Sequence, residues 1–231
     1  MTDANNRLRF AARAAFLFNA TASGLMVLFL RNGLDPSLPL TMRLQFIAEH
    51  KIPWQGSWLV WIFAALSLIH LFVCWGRWLW ADASERSRNW IVFGVLAGSL
   101  GMIPDTLAET IYLGILPSLA TDALGTHASH LTIVANLSVW LAAAQIFTGF
   151  LGNSFYCLGG LSLCLVMLRD KKMPHAVTRT SLFIWLTGFG LSATSLTQNN
   201  TALITMTALT MGSFILWTFW LGWLWQNEGE P

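Results

Sequence analysis

Long uninterrupted runs of apolar residues constrain this chain more than any other feature of its sequence. A helix needs about 20 mainly apolar residues to cross a hydrocarbon core of roughly 30 Å. Five such runs are plain, and they cover residues 11–30, 57–80, 90–114, 181–198 and 202–225. Because the hydrocarbon core offers no water, each crossing segment must bond its own backbone groups. The sequence therefore predicts an all-α, polytopic transmembrane helical bundle.

Composition excludes the main alternatives to a membrane bundle. Only 10% of the 231 residues are charged and 55% are hydrophobic, whereas about 25% are charged in an average soluble domain. The chain therefore lacks the polar surface of a cytosolic enzyme, a disordered protein or a nucleic-acid binder. Three cysteines are too few, and odd in number, for a disulfide scaffold. We expect one transmembrane domain over residues 1–231.

The length of a sixth apolar region, residues 131–168, does not show whether it crosses the membrane once or twice. As one helix its 38 residues would extend about 57 Å, too long for one crossing and tight for two. The charges favour one crossing near 147–168, because ten basic residues then lie on the cytoplasmic side and three outside. We expect six spans with both termini in the cytoplasm. Residues 131–146 would then lie on the outer surface or project above it.

Tryptophans and the first long connection fit this orientation. Indole rings favour membrane interfaces, and most tryptophans are expected in two belts. The inner belt would contain Trp75, Trp78, Trp80, Trp90, Trp220, Trp223 and Trp225, and the outer belt Trp54, Trp58 and Trp61. The connection 31–56 mixes apolar and charged residues, which predicts an amphipathic helix in the outer interface. This segment is either a lid over an outer-facing cavity or a linker.

Glycines predict close helix packing. Gly94, Gly98 and Gly101 lie on one face of the third span, and a second set lies on the fourth: Gly149, Gly152, Gly159 and Gly160. Small residues let helix backbones approach each other in lipid. We interpret both sets as structural.

Asp105 and Glu109 are ionisable residues inside the third span. They are four residues apart and share one helical face, and Tyr112 follows on the same side. A charge near the bilayer centre costs about 2.5–3.5 kcal/mol, so the pair must face the bundle interior or a wet cavity. Further polar residues are expected on neighbouring spans: Asn19, Ser23, His70, Asn153, Ser154, Tyr156, Thr194 and Gln198. We predict that the polar faces converge on a pocket open to the outer face, and the expected site residues are Asp105, Glu109, Tyr112, His70, Asn19, Asn153 and Gln198.

Three uses of this pocket stay open. The side chains can form a structural hydrogen-bonded network. Asp105, Glu109 and His70 are suitable ligands for zinc or a similar ion, and His127 and His130 follow at a spacing that one helical turn would bring together. The pocket can also bind a hydrophobic molecule such as a lipid, quinone or pigment. The sequence names no cofactor.

Several of these features occur together in one known pattern. They are the arginine-rich entry Arg7–Arg13, the glycines within Leu158-Gly159-Gly160-Leu161, the basic loop from Arg169 to Pro174 and a short polar tail. In these features the chain resembles a loose group of uncharacterised bacterial six-helix membrane proteins. The resemblance implies a location in the bacterial inner membrane, and it carries no functional residues.

The expected function is binding or assembly. The first hypothesis is an accessory subunit of a membrane complex, or a module that binds a hydrophobic ligand. Its expected partners are the lipid bilayer, other membrane subunits and a hydrophobic small molecule, and no nucleic acid. One alternative is a membrane-embedded, metal-dependent enzyme that uses Asp105, Glu109 and His70. Another is a proton- or cation-coupled transporter.

Overall fold

The computed structural model describes residues 2–35, 37–81, 83–125, 130–170, 173–197 and 199–225. This part of the chain is 93% helical and contains no strand, which confirms the all-α prediction. Its α-helices are α1 (Thr2–Leu25), α2 (Arg31–Leu34), α3 (Leu40–Glu49), α4 (Lys51–Trp80), α5 (Glu85–Leu100), α6 (Met102–Thr110), α7 (Leu116–Gly125), α8 (His130–Ala144), α9 (Asn153–Asp170), α10 (His175–Ser195) and α11 (Asn200–Phe219). Its π-helical segments are π1 (Met26–Leu30), π2 (Ile111–Ile115), π3 (Gln145–Gly152) and π4 (Trp220–Leu224).

Five helical segments of the described chain are long and apolar enough to cross a membrane. They are Asp3–Leu34, Lys51–Trp80, Glu85–Gly125, Ala135–Asp170 and Asn200–Leu224. Each of them contains one predicted span to within a residue, which confirms the membrane class. The remaining predicted span, residues 181–198, overlaps α10 over residues 181–195. This helix has 21 residues, but its serines, threonines and glycines lower its hydropathy, and it is not among the five.

The two ends of the described chain lie at the same end of the bundle. The Trp78 indole donates to Asn5 Oδ1 over 2.7 Å, and its ring packs edge-on against Trp225 with centroids 5.4 Å apart. Helices α1 and α4 run antiparallel, since Asn19, later in α1, contacts Ser67, earlier in α4. We call this the Trp78 end. Helices α3, α7 and α8 lie toward the opposite end.

Buried apolar side chains form two core clusters along the bundle. One cluster lies toward the Trp78 end and includes the fully buried Trp75. The other lies at the opposite end and includes the fully buried Trp54. The outer surface is apolar as well, with side chains such as Ile204 and Leu216 more than half exposed. A surface of this kind is suited to lipid tails, which have no polar groups to offer.

The third and fourth long helices approach each other along their glycines, as the sequence predicts. An ideal Cβ at Gly159 would stand 2.6 Å from the Gly94 carbonyl oxygen and from backbone atoms of Gly98. A Cβ at Gly152 would stand 3.2 Å from the Gly101 carbonyl oxygen. Any larger side chain would separate the two backbones. These glycines therefore bring α5 and α6 against π3 and α9.

Residues 130–170 form one continuous helical segment, from α8 through π3 to α9. Its apolar part, Ala135–Asp170, has 36 residues, and at about 1.5 Å per residue it is about 54 Å long. This length exceeds the roughly 30 Å of a hydrocarbon core. No turn separates 131–146 from the following span, so the chain has no point at which this segment would fold down onto a membrane surface.

The connection between the first two long helices contains α3, in agreement with the predicted helix. Leu44 and Ile47 are buried on its inner face, within the core cluster that includes Trp54, and α7 packs against it. Arg43 Nε donates to the Gly33 carbonyl oxygen over 3.0 Å. Burial of this guanidinium lowers the pKa of Arg43. The buried apolar face of α3 and the hydrogen bond of Arg43 thus both hold this helix in place.

Asp35 ends α2 and organises the turn that leads to α3. Its Oδ1 accepts hydrogen bonds from the Ser37 hydroxyl at 2.6 Å and from the Ser37 backbone N–H at 2.9 Å. Arg31 Nε also donates to its Oδ2 over 3.2 Å. These bonds favour the ionised carboxylate, and the Ser37 hydroxyl above all holds the pKa of Asp35 below its ordinary 3.8.

The tryptophans only partly follow the predicted interfacial belts. Trp80 and Trp90 are exposed, as a belt requires, but Trp54, Trp75 and Trp78 are buried inside the bundle. A buried indole stabilises helix packing through its large apolar area, and its N–H can bond to a neighbouring helix. Core packing is thus a second reason for the high tryptophan content.

Candidate functional site

Asp105 lies on α6, and its carboxylate accepts hydrogen bonds from the fourth long helix. The Thr148 hydroxyl in π3 donates to Oδ1, and the Tyr156 phenol in α9 donates to Oδ2 over 3.1 Å. The close contact of Gly152 with Gly101 brings the two helices near enough for both bonds. Hydrogen bonds offset the cost of removing a carboxyl group from water. They account for an acidic residue at this depth.

Sequence reasoning missed Thr148 because threonines in membrane helices commonly bond their own backbone. A signal for it exists nevertheless. Thr148, Gly152 and Tyr156 recur every four residues, and this spacing places them on one helical face. Gly152 on this face packs against the third long helix. Thr148 and Tyr156, on the same face, therefore lie close to Asp105.

Glu109 lies one turn after Asp105 and lacks the partners that Asp105 has. Its side chain is only 3% exposed, and its Oε2 makes no hydrogen bond with any described residue. An unpartnered polar group in apolar surroundings costs several kcal/mol. The Glu109 carboxyl is therefore the group of this site that most needs a partner.

Two side chains of α4 donate hydrogen bonds to π2, the segment that directly follows α6. Trp54 Nε1 donates to the Tyr112 carbonyl oxygen over 2.7 Å, and Gln55 Nε2 donates to the Leu113 carbonyl oxygen over 2.9 Å. The Tyr112 ring stacks on Trp58 with centroids 4.0 Å apart and planes 7° from parallel. A π-helical turn changes the backbone bonding pattern, which leaves these carbonyl groups accessible to side chains. The sequence pattern does not predict a π-helical segment at π2.

Several buried polar atoms without partners lie in the same half of the bundle as Glu109. Among the described residues, eight buried side-chain polar atoms make no hydrogen bond. Six of these lie on α1, α4 and α6. One of the six, Trp75 Nε1, lies in the core cluster toward the Trp78 end, and the other five are Ser23 Oγ, Trp58 Nε1, Trp61 Nε1, Thr106 Oγ1 and Glu109 Oε2. We call these five atoms the unpartnered polar group.

The register of α4 against α6 relates the positions of these residues along the bundle. Trp58 stacks on Tyr112, which follows Glu109 by three residues. Helices α4 and α6 run in opposite directions, and Trp61 follows Trp58 by three residues. Trp61 therefore lies at the level of Glu109, because three residues make almost one helical turn.

Asn19 connects α1 to the same part of α4. Its Nδ2 donates to the Ala15 carbonyl oxygen at 2.9 Å and to Ser67 Oγ at 3.4 Å. Ser23 follows Asn19 by one turn. Because α1 and α4 are antiparallel, Ser23 lies beside the part of α4 that precedes Ser67, toward the level of Trp61. Asn19 thus lies one turn from Ser23 on α1, and its amide has partners of its own.

Asn153 does not join the carboxyl pair, contrary to the prediction. Its Nδ2 donates to the Gly188 carbonyl oxygen at 2.6 Å and to Ser192 Oγ at 2.9 Å, both on α10. The amide therefore links α9 to α10, while Tyr156, one turn later, turns toward Asp105. Polar links of this kind hold neighbouring helices together in lipid.

His70 also lies apart from the carboxyl pair, and this corrects the predicted metal site. It is exposed on α4, with its ring 6.1 Å from that of Phe10 on α1. It follows Trp61 by nine residues, which is more than two turns toward the Trp78 end. Within the described residues, no three histidine, cysteine, aspartate or glutamate side chains lie close enough together to hold a metal ion. His70, Asp105 and Glu109 therefore do not form such a site.

The remaining predicted site residues cannot be placed beside these. His127 and Gln198 lie outside the described residues, and only the backbone of His130 lies within them. Their meeting with the carboxyl pair stays a prediction.

Comparison with known proteins identifies no family for this chain. The chain matches no protein-family model, no curated protein and no solved structure. The arguments about function therefore rest on the site itself.

Proposed function

We propose that the chain is a six-span protein of the bacterial inner membrane with both termini in the cytoplasm. The shared position of residues 5 and 225 at the Trp78 end supports an even number of crossings. Helix α10 supplies the sixth, since its 21 residues extend about 31 Å. Arginines such as Arg86 and Arg169 lie at the Trp78 end, which favours the cytoplasm on that side.

Within this architecture, the proposed function is to bind an amphipathic small molecule beside Glu109. The unpartnered polar group is the observation that carries this proposal, because five buried polar atoms on three helices lie within about two helical turns along the bundle. Trp58 and Trp61 each offer an indole N–H donor. Glu109 offers a carboxyl oxygen, and two hydroxyls can donate or accept. A ligand head group that both donates and accepts hydrogen bonds would satisfy them.

The surroundings narrow the class of ligand. The stacked rings of Trp58 and Tyr112 form a flat aromatic wall, and the neighbouring core is apolar. Sites for cofactors and small molecules combine such walls with a few polar anchors. Among lipids, quinones and pigments, a flat polar ring with an apolar tail fits best, so the quinone class is favoured. The same role suits an accessory subunit of a membrane complex.

A second function, proton-coupled transport, is favoured by the carboxyl pair. Asp105 and Glu109 lie one turn apart in a membrane-length helix, and Asp105 bonds to the Tyr156 phenol. Acidic residues within spans commonly mark proton relays.

Mass measurement of the protein extracted in mild detergent tests the binding function. We expect the wild-type chain to retain an organic molecule of a few hundred daltons or more, and Glu109→Gln and Trp58→Phe to reduce its retention. One hydrogen bond of about 1.4 kcal/mol corresponds to about a tenfold change. Trp75→Phe is the matched control, because its indole N–H is also buried and unpartnered but lies in the other core cluster.

The results separate the candidate functions. Equal loss in Trp75→Phe and Trp58→Phe, or full retention in Glu109→Gln, contradicts ligand binding at this level. In sealed vesicles with a pH-sensitive dye inside, proton uptake that Glu109→Gln abolishes would favour transport instead. Neither result changes the membrane class, which rests on the helices alone.

A further inference from the structure

A pocket of about 370 Å³ opens at the Trp78 end, away from Glu109. It lies between the first turns of α5 and the last turns of α9. Its lining residues are Arg86, Ser87, Trp90, Leu165, Val166 and Arg169. Two cationic side chains, one from each helix, thus border a single concave surface.

Arg86 and Arg169 are available to bind an anion. Both are exposed, and neither forms an ion pair with another described residue. Their sequence neighbours Glu85 and Asp170 are acidic but are not paired with them. Arg88, close to the pocket, packs its guanidinium over an indole ring at 5.2 Å. The pocket therefore presents positive charge that the described chain does not neutralise by contact.

The pocket lies at the depth of lipid head groups. The third long helix begins at Glu85 and the fourth ends at Asp170, so this is where both leave the apolar region. Trp90 is 44% exposed, as expected for an indole at a membrane interface. Leu165, one turn before Arg169 toward the membrane interior, is 46% exposed. An apolar surface therefore continues from the pocket along the helices.

We propose that this pocket binds the phosphate group of an anionic phospholipid, with its acyl chains along the apolar surface below. A guanidinium group matches phosphate oxygens through paired hydrogen bonds. Basic pockets between membrane helices bind anionic head groups for the same reason. Inorganic phosphate presents the same oxygens but gains nothing from Trp90 and Leu165, which favour the lipid.

A neighbouring pocket at this end is less suited to the same ligand. It includes Arg7, Arg77 and His70, but Arg7 is already paired with Asp3 at 2.8 Å. An anion there would compete with a carboxylate of the chain itself. The pocket between α5 and α9 is therefore the better phosphate site.

Lipid competition tests the proposal. The purified protein in mild detergent is mixed with equal amounts of phosphatidylglycerol and phosphatidylcholine, and the retained lipids are counted by native mass spectrometry. We expect the wild type to prefer phosphatidylglycerol. Arg86→Gln and Arg169→Gln should each lower this preference about fivefold, because a basic residue near an anionic lipid contributes about 1 kcal/mol. Arg179→Gln, an exposed arginine on α10 at the same end, should leave it unchanged.

Three outcomes overturn the proposal. One is an equal loss of preference in Arg179→Gln, which would indicate a general charge effect. Another is an unchanged preference in the Arg86→Gln, Arg169→Gln double variant. The third is displacement of phosphatidylglycerol by inorganic phosphate at equal concentration, which would indicate a site for the free anion. Arg86→Lys keeps the charge and should retain most of the preference, so it distinguishes lost binding from a disturbed fold.

Discussion

Replacing Gly159 with alanine tests how α5 and α9 hold the bundle together. The added Cβ would stand 2.6 Å from the Gly94 carbonyl oxygen and equally close to the nitrogen and Cα of Gly98. All three are backbone atoms, so no side chain can rotate out of the way. An ordinary contact begins near 3.4 Å, and the helices must therefore separate by about 0.8 Å, since packed interiors do not yield elsewhere.

The size of the effect follows from two opposing terms. Overpacking a tight interior costs about 1–3 kcal/mol, and the upper end applies because backbone has to move. Alanine gains up to about 1 kcal/mol over glycine inside a helix. We expect Gly159→Ala to lower the free energy of unfolding by about 2 kcal/mol. The separation would also stretch the bond between Tyr156 and Asp105, which joins the same two long helices.

Gly212→Ala is the matched control for this variant. Gly212 lies inside α11, and an added Cβ would meet nothing within 4 Å. Helix propensity then acts alone, and this variant should be as stable as the wild type or more stable. Reversible denaturation in mixed micelles, followed by far-ultraviolet circular dichroism, measures both. The packing argument is refuted if Gly159→Ala has the same free energy of unfolding as the wild type, or if Gly212→Ala lowers that free energy by as much as Gly159→Ala does.

Two further predictions concern single polar contacts. Tyr156→Phe removes the 3.1 Å hydrogen bond to Asp105, and we expect a loss of about 0.6–1.7 kcal/mol in the same assay. An equal loss in an Asp105→Ala background, which has no side-chain acceptor, would show that this bond is not the cause. The Ser37 hydrogen bonds lower the pKa of folded Asp35, so their contribution to stability is complete above the ordinary value of 3.8 and is lost as the pH falls through the folded pKa. Asp35→Asn should remove this acid sensitivity of the turn, which amide exchange of the α2–α3 connection can follow, and identical acid responses of the two proteins would contradict the assignment.

The fold class was predictable because lipid imposes a simple rule on sequence. Apolar runs of sufficient length must cross, and glycines such as Gly94 and Gly159 must pack where backbones meet. Helix α10 is the predicted span that hydropathy does not support. Thr180 and Thr187 donate their hydroxyls to backbone carbonyl oxygens one turn earlier. Their polar atoms are thus satisfied within the helix, and a hydropathy sum underestimates its suitability for a membrane.

The site was less predictable because a helical face does not reveal which helix lies opposite it. The spacing of Asp105 and Glu109 predicted a shared inward face, but Asn153 bonds to α10 and His70 lies beside α1. The π-helical segments add a second obstacle. An extra residue per turn changes which residues share a face, and the four-residue spacing of an α-helix is not a reliable guide within π3, which contains Thr148.

The contrast between Asp105 and Glu109 carries the functional argument. Both are acidic residues on one helix, one turn apart, and only Asp105 is satisfied by its neighbours. If the pair served packing alone, ligand retention would be the same in both amide variants, and only Asp105→Asn would lower stability markedly, because Glu109 Oε2 has no partner to lose. A ligand role predicts different effects of the two substitutions. Asp105→Asn should lower the free energy of unfolding, and Glu109→Gln should chiefly lower ligand retention. Unchanged retention in both variants would assign both residues to the structural network.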